Sequence, residues 1–497
     1  MRVGLRIGPA TGKLARTLDR VSSWSAQAWA CAGLGLIVLL ALQTMADDRF
    51  AALAAATLLL LSLGSCLVVL RIPLLSAPLT YLGVFGFFHL GLVVPQALGI
   101  SVLPTPAWIV SYRLTPALRL VGLAVWCFQI GVTVAAARAG GPDAFPPGKR
   151  YRNGILCHCG FAIVVLGLLF FGRGLQSFGL EEFVEADYTE TYRLAAWHDP
   201  RFFATGLILA PVGFYLAVAA APWRWLTPVL CLLAGWAGLV FFLGFRGHAL
   251  APLLVAALVL RQRGLDLPRW FWAVCLAGLL AVIPAARSWR DLPLAERSVS
   301  DAFAAVRPLA AAEEMGGSLE PLVHTLRLLQ TEPYRLGQTY WQAAKRVLPN
   351  VAREWRGDAY IPLEELSPTH WVTRQAAPWK HQNFGGIGFS AVAEPYMNFG
   401  SGGVAVYFLL LGFVLLRADA FAAGRPTRLA LLAAILGPLL WTVRGSFDSF
   451  FRPAVWGVLC VLAARIVADS LRQPSGDRER AVLPPAVAAA RPARMSG

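Results

Sequence analysis

The chain has 497 residues, 57% of them hydrophobic and only 14% charged, with a mean hydropathy of +0.59. Soluble globular chains carry about 25% charged residues, so this composition excludes an ordinary water-soluble domain and points to lipid. The formal net charge of +16 would suit nucleic acid, but the basic residues flank apolar runs as orientation signals do. No nucleic-acid-binding motif accompanies them, so no nucleic-acid partner is expected.

In chain order, residues 1–25 form an N-terminal segment with Arg2, Arg6, Lys13, Arg16 and Arg20. The apolar run after it is longer than the core of a secretory signal and lacks good cleavage residues, so it reads as an uncleaved anchor. A membrane helix needs about 20 apolar residues. Candidate spans fall near 28–46, 50–70, 78–99, 116–137, 154–171, 202–221, 226–244, 247–260 and 270–287, then 400–416, 429–443 and 453–469. The expected fold is therefore all-α and polytopic, with about twelve transmembrane helices.

Basic loops set the orientation. Counting alternately from a cytoplasmic N-terminus, the basic loops at 138–153, 261–269 and 417–428 all fall on the cytoplasmic side. Both termini are then cytoplasmic. Two longer segments fall outside, a loop at 172–201 and a large subdomain at 288–399, too long to be a mere connection. Within the latter, LEPLVHTLRLL and YRLGQTYWQAAKRVL read as amphipathic helices. The division expected is 1–25 cytoplasmic, 26–287 membrane helices one to nine, 288–399 external loop, 400–470 helices ten to twelve, and 471–497 a Pro/Ala/Arg-rich disordered cytoplasmic tail.

The eight cysteines lie in apolar segments, so no disulfide framework is expected. Cys157, His158 and Cys159 are consecutive, and on a helix that spacing spreads them around the axis. No metal site is read there.

Charges at the outer ends of membrane helices cost free energy unless paired or functional. Arg173, Arg246, Arg287, Arg290, Arg444 and Arg452 occupy such positions. The planar guanidinium fork binds phosphate oxygens in pairs, so a cluster of them suits a pyrophosphate; the alternative is that individual arginines snorkel to the interface or pair with Asp448. Tyrosines and tryptophans of the external loop suit sugar faces or an interfacial belt. Glu394 shares a helical face with Ser390 and Asn398. Pro395 disfavours a helical Glu394 and favours a helix start, so Glu394 reads either as a cap of the following helix or as a carboxylate with a chemical role.

AEPYMNFGSGGVAVYFLLLGF resembles the A-E-x-Y-x-N-F-G-x-x-G segment of Wzy-type O-antigen polymerases, with proline at its third position. FRGHALAPLLVAALVL is similar to their arginine-glycine helix start, and YRLGQTYWQAAKRVLPN to the Y-x-x-G-x-x-Y…L-P helix of their periplasmic loop. HDPRFF at 198–203 also sits where such proteins have an external loop before a helix.

The resemblance implies a GT-C-like fold in the bacterial inner membrane and an inverting glycosyltransferase at the periplasmic face. It would join undecaprenyl-pyrophosphate-linked repeat units, with a chain-length regulator and a flippase of the same pathway as possible partners. Glu394 is then the first candidate base, ahead of Asp448 and Asp187. Arg246 and Arg444 are the first pyrophosphate ligands, assisted by Arg173, Arg287, Arg290 and Arg452. His248, Tyr340, Tyr396 and Asn398 join as substrate contacts. The donor is already activated and no outward DxD-like motif is present, so neither cofactor nor metal is expected. Two other readings stand beside this one: an O-antigen ligase acting on a lipid A core, and a flippase or transporter. Almost charge-free helix centres and the large external loop speak against transport.

Overall fold

The computed structural model describes residues 9–139, 153–178, 200–265, 309–347, 367–382 and 385–471, with scattered positions between 268 and 307. The described residues are helical, with no strand among them. The elements are α1 (Pro9–Thr44), α2 (Asp48–Gly64, continued by one π-helical turn), α3 (Ala77–Leu90), α4 (Val93–Leu98), α5 (Leu114–Ala139), α6 (Gly154–Phe178), α7 (Pro200–Ala220), α8 (Trp223–Phe242) and α9 (Arg246–Gln262). Five shorter helices follow: α10 (Ala310–Met315), α11 (Leu319–Leu328), α12 (Gln338–Lys345), α13 (Pro368–Ala376) and α14 (Pro378–Gln382). The chain closes with α15 (Ala393–Ala422), α16 (Pro426–Thr442) and α17 (Phe447–Ser470). The first amphipathic stretch expected between 288 and 399 is helical as α11; of the second, only Gln338–Lys345 is helical, as α12.

Eight of the described helices are long and apolar enough to cross a membrane. The other four expected spans are shorter helices or lie mostly outside the described residues. The runs expected at 78–99, 247–260 and 429–443 are helices of 14, 17 and 17 residues, and the fourth, 270–287, lies mostly outside the described residues. At 1.5 Å per residue, 17 residues reach about 25 Å, short of a hydrocarbon core of about 30 Å.

Lipid gives helices little hydrophobic reason to associate, so they pack by close backbone approach over small residues. On α6, Gly160, Gly167 and Gly174 recur every seventh residue; Gly160 and Gly167 face Gly206, Ala210, Gly213 and Ala217 of α7, and Gly174 faces Phe203. A Cβ on Gly160 would lie 2.7 Å from the Ala217 nitrogen, and one on Gly213 would lie 2.6 Å from that of Val164. These two helices form the most extensive helix pair of the molecule, followed by α5 against α15 and α16 against α17.

The re-entry helix α15 starts at Ala393 and breaks once, at Phe399 (φ −141°, ψ 17°) and Gly400 (φ 63°, ψ −156°). That pair of angles at Gly400 is open essentially to glycine alone. Helical structure therefore begins seven residues ahead of the apolar run expected from 400. The break detaches the turn 393–398 from the long apolar shaft and frees the carbonyls of Met397 and Asn398 from their usual partners.

Candidate functional site

The freed carbonyls are taken up by the YRLG stretch that leads into α12. Arg335 N–H donates to the Met397 carbonyl (3.0 Å), Leu336 N–H to the Asn398 carbonyl (3.1 Å), and Gly337 N–H to Asn398 Oδ1 (2.9 Å). Three successive amides converge because Leu336 (φ 47°) and Gly337 (φ 89°) are both left-handed. Asn398, fully buried, also donates from Nδ2 to Thr339 Oγ1 (2.7 Å) and to the Glu394 carbonyl (2.9 Å). Tyr396 meets Tyr334 edge to face at 6.1 Å, and Tyr340 packs against Phe399 and Phe447. The two stretches AEPYMNFG and YRLGQTY thus interlock.

A second clasp comes from GGIGF. Phe389 N–H donates to the Arg444 carbonyl at 2.8 Å. Gly388 (φ 78°) passes so close that a Cβ there would lie 3.2 Å from Arg444 Cγ. Just beyond, Phe447 N–H at the start of α17 donates to Glu394 Oε2 at 2.6 Å. Glu394 therefore does cap a helix, but α17 rather than its own. A carboxylate is well placed there, since the first amides of a helix lack intrahelical partners and carry its positive dipole end.

The other oxygen, Oε1, is buried without a hydrogen-bond partner among the described residues. Leaving such an atom unpaired costs free energy, and native structures retain few of them. Glu394 lines a cavity of about 10 Å³ together with Tyr340, Pro395, Tyr407, Thr442 and Phe447, which is about the volume one water needs. Burial raises the Tyr340 hydroxyl above its ordinary pKa, with the negative charge of Glu394 adding to the shift. Tyr340 therefore faces the carboxylate as a neutral phenol.

Behind Glu394 stands a pair that the residue pattern does not reveal. His89 on α3 and Ser390 are both fully buried, with Nε2 2.8 Å from Ser390 Oγ. His89 Nδ1 is 3.0 Å from the Phe85 carbonyl, which can only accept, so Nδ1 carries the proton and Nε2 receives that of Ser390. Ser390 Oγ in turn accepts from Val392 N–H (3.2 Å), and the Ser390 carbonyl accepts from Glu394 N–H (3.3 Å). His89 thus fixes the turn that launches Glu394. Its position inside an apolar aromatic run, over 300 residues away, gave no local signal.

The remaining candidates divide by partner. Arg246, at the first position of α9, pairs with Glu314 of α10. Asp448 pairs with Arg346 at 2.5 Å and also accepts from the Ser446 hydroxyl, tying the end of α12 to α17. For Arg444, which is partly buried, neither an ion pair nor a side-chain hydrogen bond occurs among the described residues. His248 stacks on Trp441 at 4.3 Å, four residues after which Gly445 joins the Glu394 cavity. Arg173 is exposed near the end of α6, and Arg452 lies on α17 one turn past Asp448. Asp187, Arg287 and Arg290 lie outside the described residues. Glu314, Arg346 and Thr339 were not expected at the site; Arg346 alone had a signal, one position ahead of the V-L-P that ends its motif.

Neither a curated protein nor a solved structure matches the chain. A family profile does match it, over residues 182–473, more than half of its 497 residues and including Arg246, Tyr340, Glu394 and Arg444. The interlocked motifs and this match place the chain in the O-antigen polysaccharide polymerase family, Wzy.

Proposed function

We propose that the protein polymerises undecaprenyl-pyrophosphate-linked repeat units by inverting glycosyl transfer at the periplasmic face of the inner membrane, with Glu394 as the base. The observation that carries this reading is the buried Glu394 carboxylate with one oxygen held by Phe447 N–H and the other unpartnered beside a small cavity. A general base must be fixed in place yet keep one oxygen for the proton it takes.

In the reaction, an acceptor sugar hydroxyl attacks the anomeric carbon of the donor glycan from the face opposite its pyrophosphate. The new C–O bond forms as the anomeric C–O bond to pyrophosphate breaks, and the bonding electrons leave on the phosphate oxygen. Glu394 takes the hydroxyl proton. Arg444, whose guanidinium has no ion pair among the described residues, meets the growing negative charge, where fixed positive charge acts most strongly. Arg246, already paired with Glu314, serves less directly, and Asp448, engaged by Arg346, is a support rather than a base. Tyr340 donates toward the sugar or the carboxylate as a neutral phenol.

The deciding experiment is reconstitution of the purified full chain with a lipid-linked repeat unit alone. A ladder of lengthening products is expected from the wild type and none from E394Q. Glutamine keeps the acceptor for Phe447 N–H, so the cap on α17 survives while the base is lost. A ladder from E394Q would reduce Glu394 to a cap, and transfer only after a lipid A core is added would favour the ligase reading.

A further inference from the structure

The helix ends farthest from Glu394 line a part-open cavity for which the polymerase reaction has no use. About 45 Å of helix separates the two ends of α15 by its 30 residues. Past its far end, a cavity of about 360 Å³ opens between the starts of α6 and α16 and the end of α17. That volume lies within the roughly 300–1,000 Å³ of small-ligand sites.

Its lining is strongly one-signed: Arg425, Arg428 and Arg465 against the single carboxylate of Asp469. Arg465 and Asp469 stand 3.4 Å apart with both side chains more than half exposed, so their pairing neutralises little. Arg428 lies 4.2 Å over the Phe421 ring, which orients its guanidinium without compensating its charge. Among the described residues neither Arg425 nor Arg428 has a carboxylate partner. The wall also holds the start of α16, which no side chain caps, and the Thr427 hydroxyl. Beside it, Phe421 (56% exposed) and Ile466 (66% exposed) face outward where acyl chains pack.

Arginines that only orient a membrane protein need no common cavity, and lysines would serve as well. Three arginines and a threonine lining one part-open cavity suit phosphate oxygens. Basic pockets between membrane helices hold lipid headgroups in this way. We propose that this cavity binds a phosphate-bearing anion, supplied by the headgroup of an anionic phospholipid or by a soluble phosphate compound. The apolar rim favours the lipid.

The test is native mass spectrometry of the full chain in detergent, titrated separately with phosphatidylglycerol, phosphatidylcholine and inorganic phosphate. Retention of phosphatidylglycerol over phosphatidylcholine is expected, weakened about tenfold or more in R425Q/R428Q and unchanged in R417Q, which removes an exposed cation outside the cavity at the same end. Retention of inorganic phosphate that R425Q/R428Q abolishes, without preference for the lipid, would uphold the site with a soluble ligand. Equal phosphatidylglycerol retention by wild type and R425Q/R428Q with no phosphate binding, or an equal loss in R417Q, would overturn it. Should the double variant fail to accumulate, R425Q and R465Q singly carry the same comparison.

Discussion

At the scale of single residues, partners separate side chains that look equivalent in the sequence. Arg246 and Arg444 each follow an apolar run and precede a glycine, yet one has Glu314 and the other has no partner among the described residues. R444A is expected to lower the rate of chain extension by about 10²–10³-fold, the scale of losing one transition-state donor, with little change in thermal stability. R246A removes the cation paired with the partly buried Glu314, so its larger effect should appear as a lowered melting temperature. Measuring turnover and thermal unfolding on both variants checks the contrast. His89 acts one step further back, through Ser390. H89F keeps the ring volume but removes the acceptor for the Ser390 hydroxyl, and should lower kcat while leaving KM near the wild-type value. H89Q, whose amide oxygen can accept that proton, should restore much of kcat, and adding S390A to H89F should cause no further loss. A uniform loss of folded protein in all three variants would mark His89 as packing alone.

At the scale of elements, the site depends on one broken helix. Because Gly400 sits at φ 63°, ψ −156°, G400A is expected to cost about 1–3 kcal/mol, or else to straighten α15 and reclaim the carbonyls that hold the YRLG stretch. Straightening undocks α12, so protease cleavage around α12 should accelerate as polymerase activity falls. N398A reaches the same end by a different route. It removes the acceptor for Gly337 N–H and the donor to Thr339, at about 1–3 kcal/mol for the group left unsatisfied, and limited proteolysis with thermal unfolding would show it.

At the scale of the whole molecule, the α6–α7 pair is the most extensive contact between helices, held by heptad-spaced glycines. G167L inserts a branched side chain where even a Cβ would lie 2.9 Å from the Ala210 Cα. It should separate the two helices and lower the melting temperature in detergent far more than G235L, where nothing lies within 4 Å of the added Cβ. The two ends of the bundle differ in charge: the Glu394 cavity beside α12 lies at one, and a basic cavity at the other.

Sequence by itself determined the membrane character, the helical class, most of the long apolar spans, and the motifs around Glu394, Tyr340 and Arg246. These rest on composition and on local order along the chain, which hydropathy and residue spacing record directly. It expected twelve spans, of which eight are long apolar helices among the described residues, because apolar content marks a run without fixing the length of its helix. Only the tertiary structure decided that Glu394 caps α17, that His89 and Ser390 stand behind it, that Glu314 occupies Arg246, and that Arg425, Arg428 and Arg465 share one cavity. Each is a contact between residues distant in the chain, set by where helices cross and where α15 breaks. No local pattern encodes such crossings, because they depend on the packed surfaces of many helices at once.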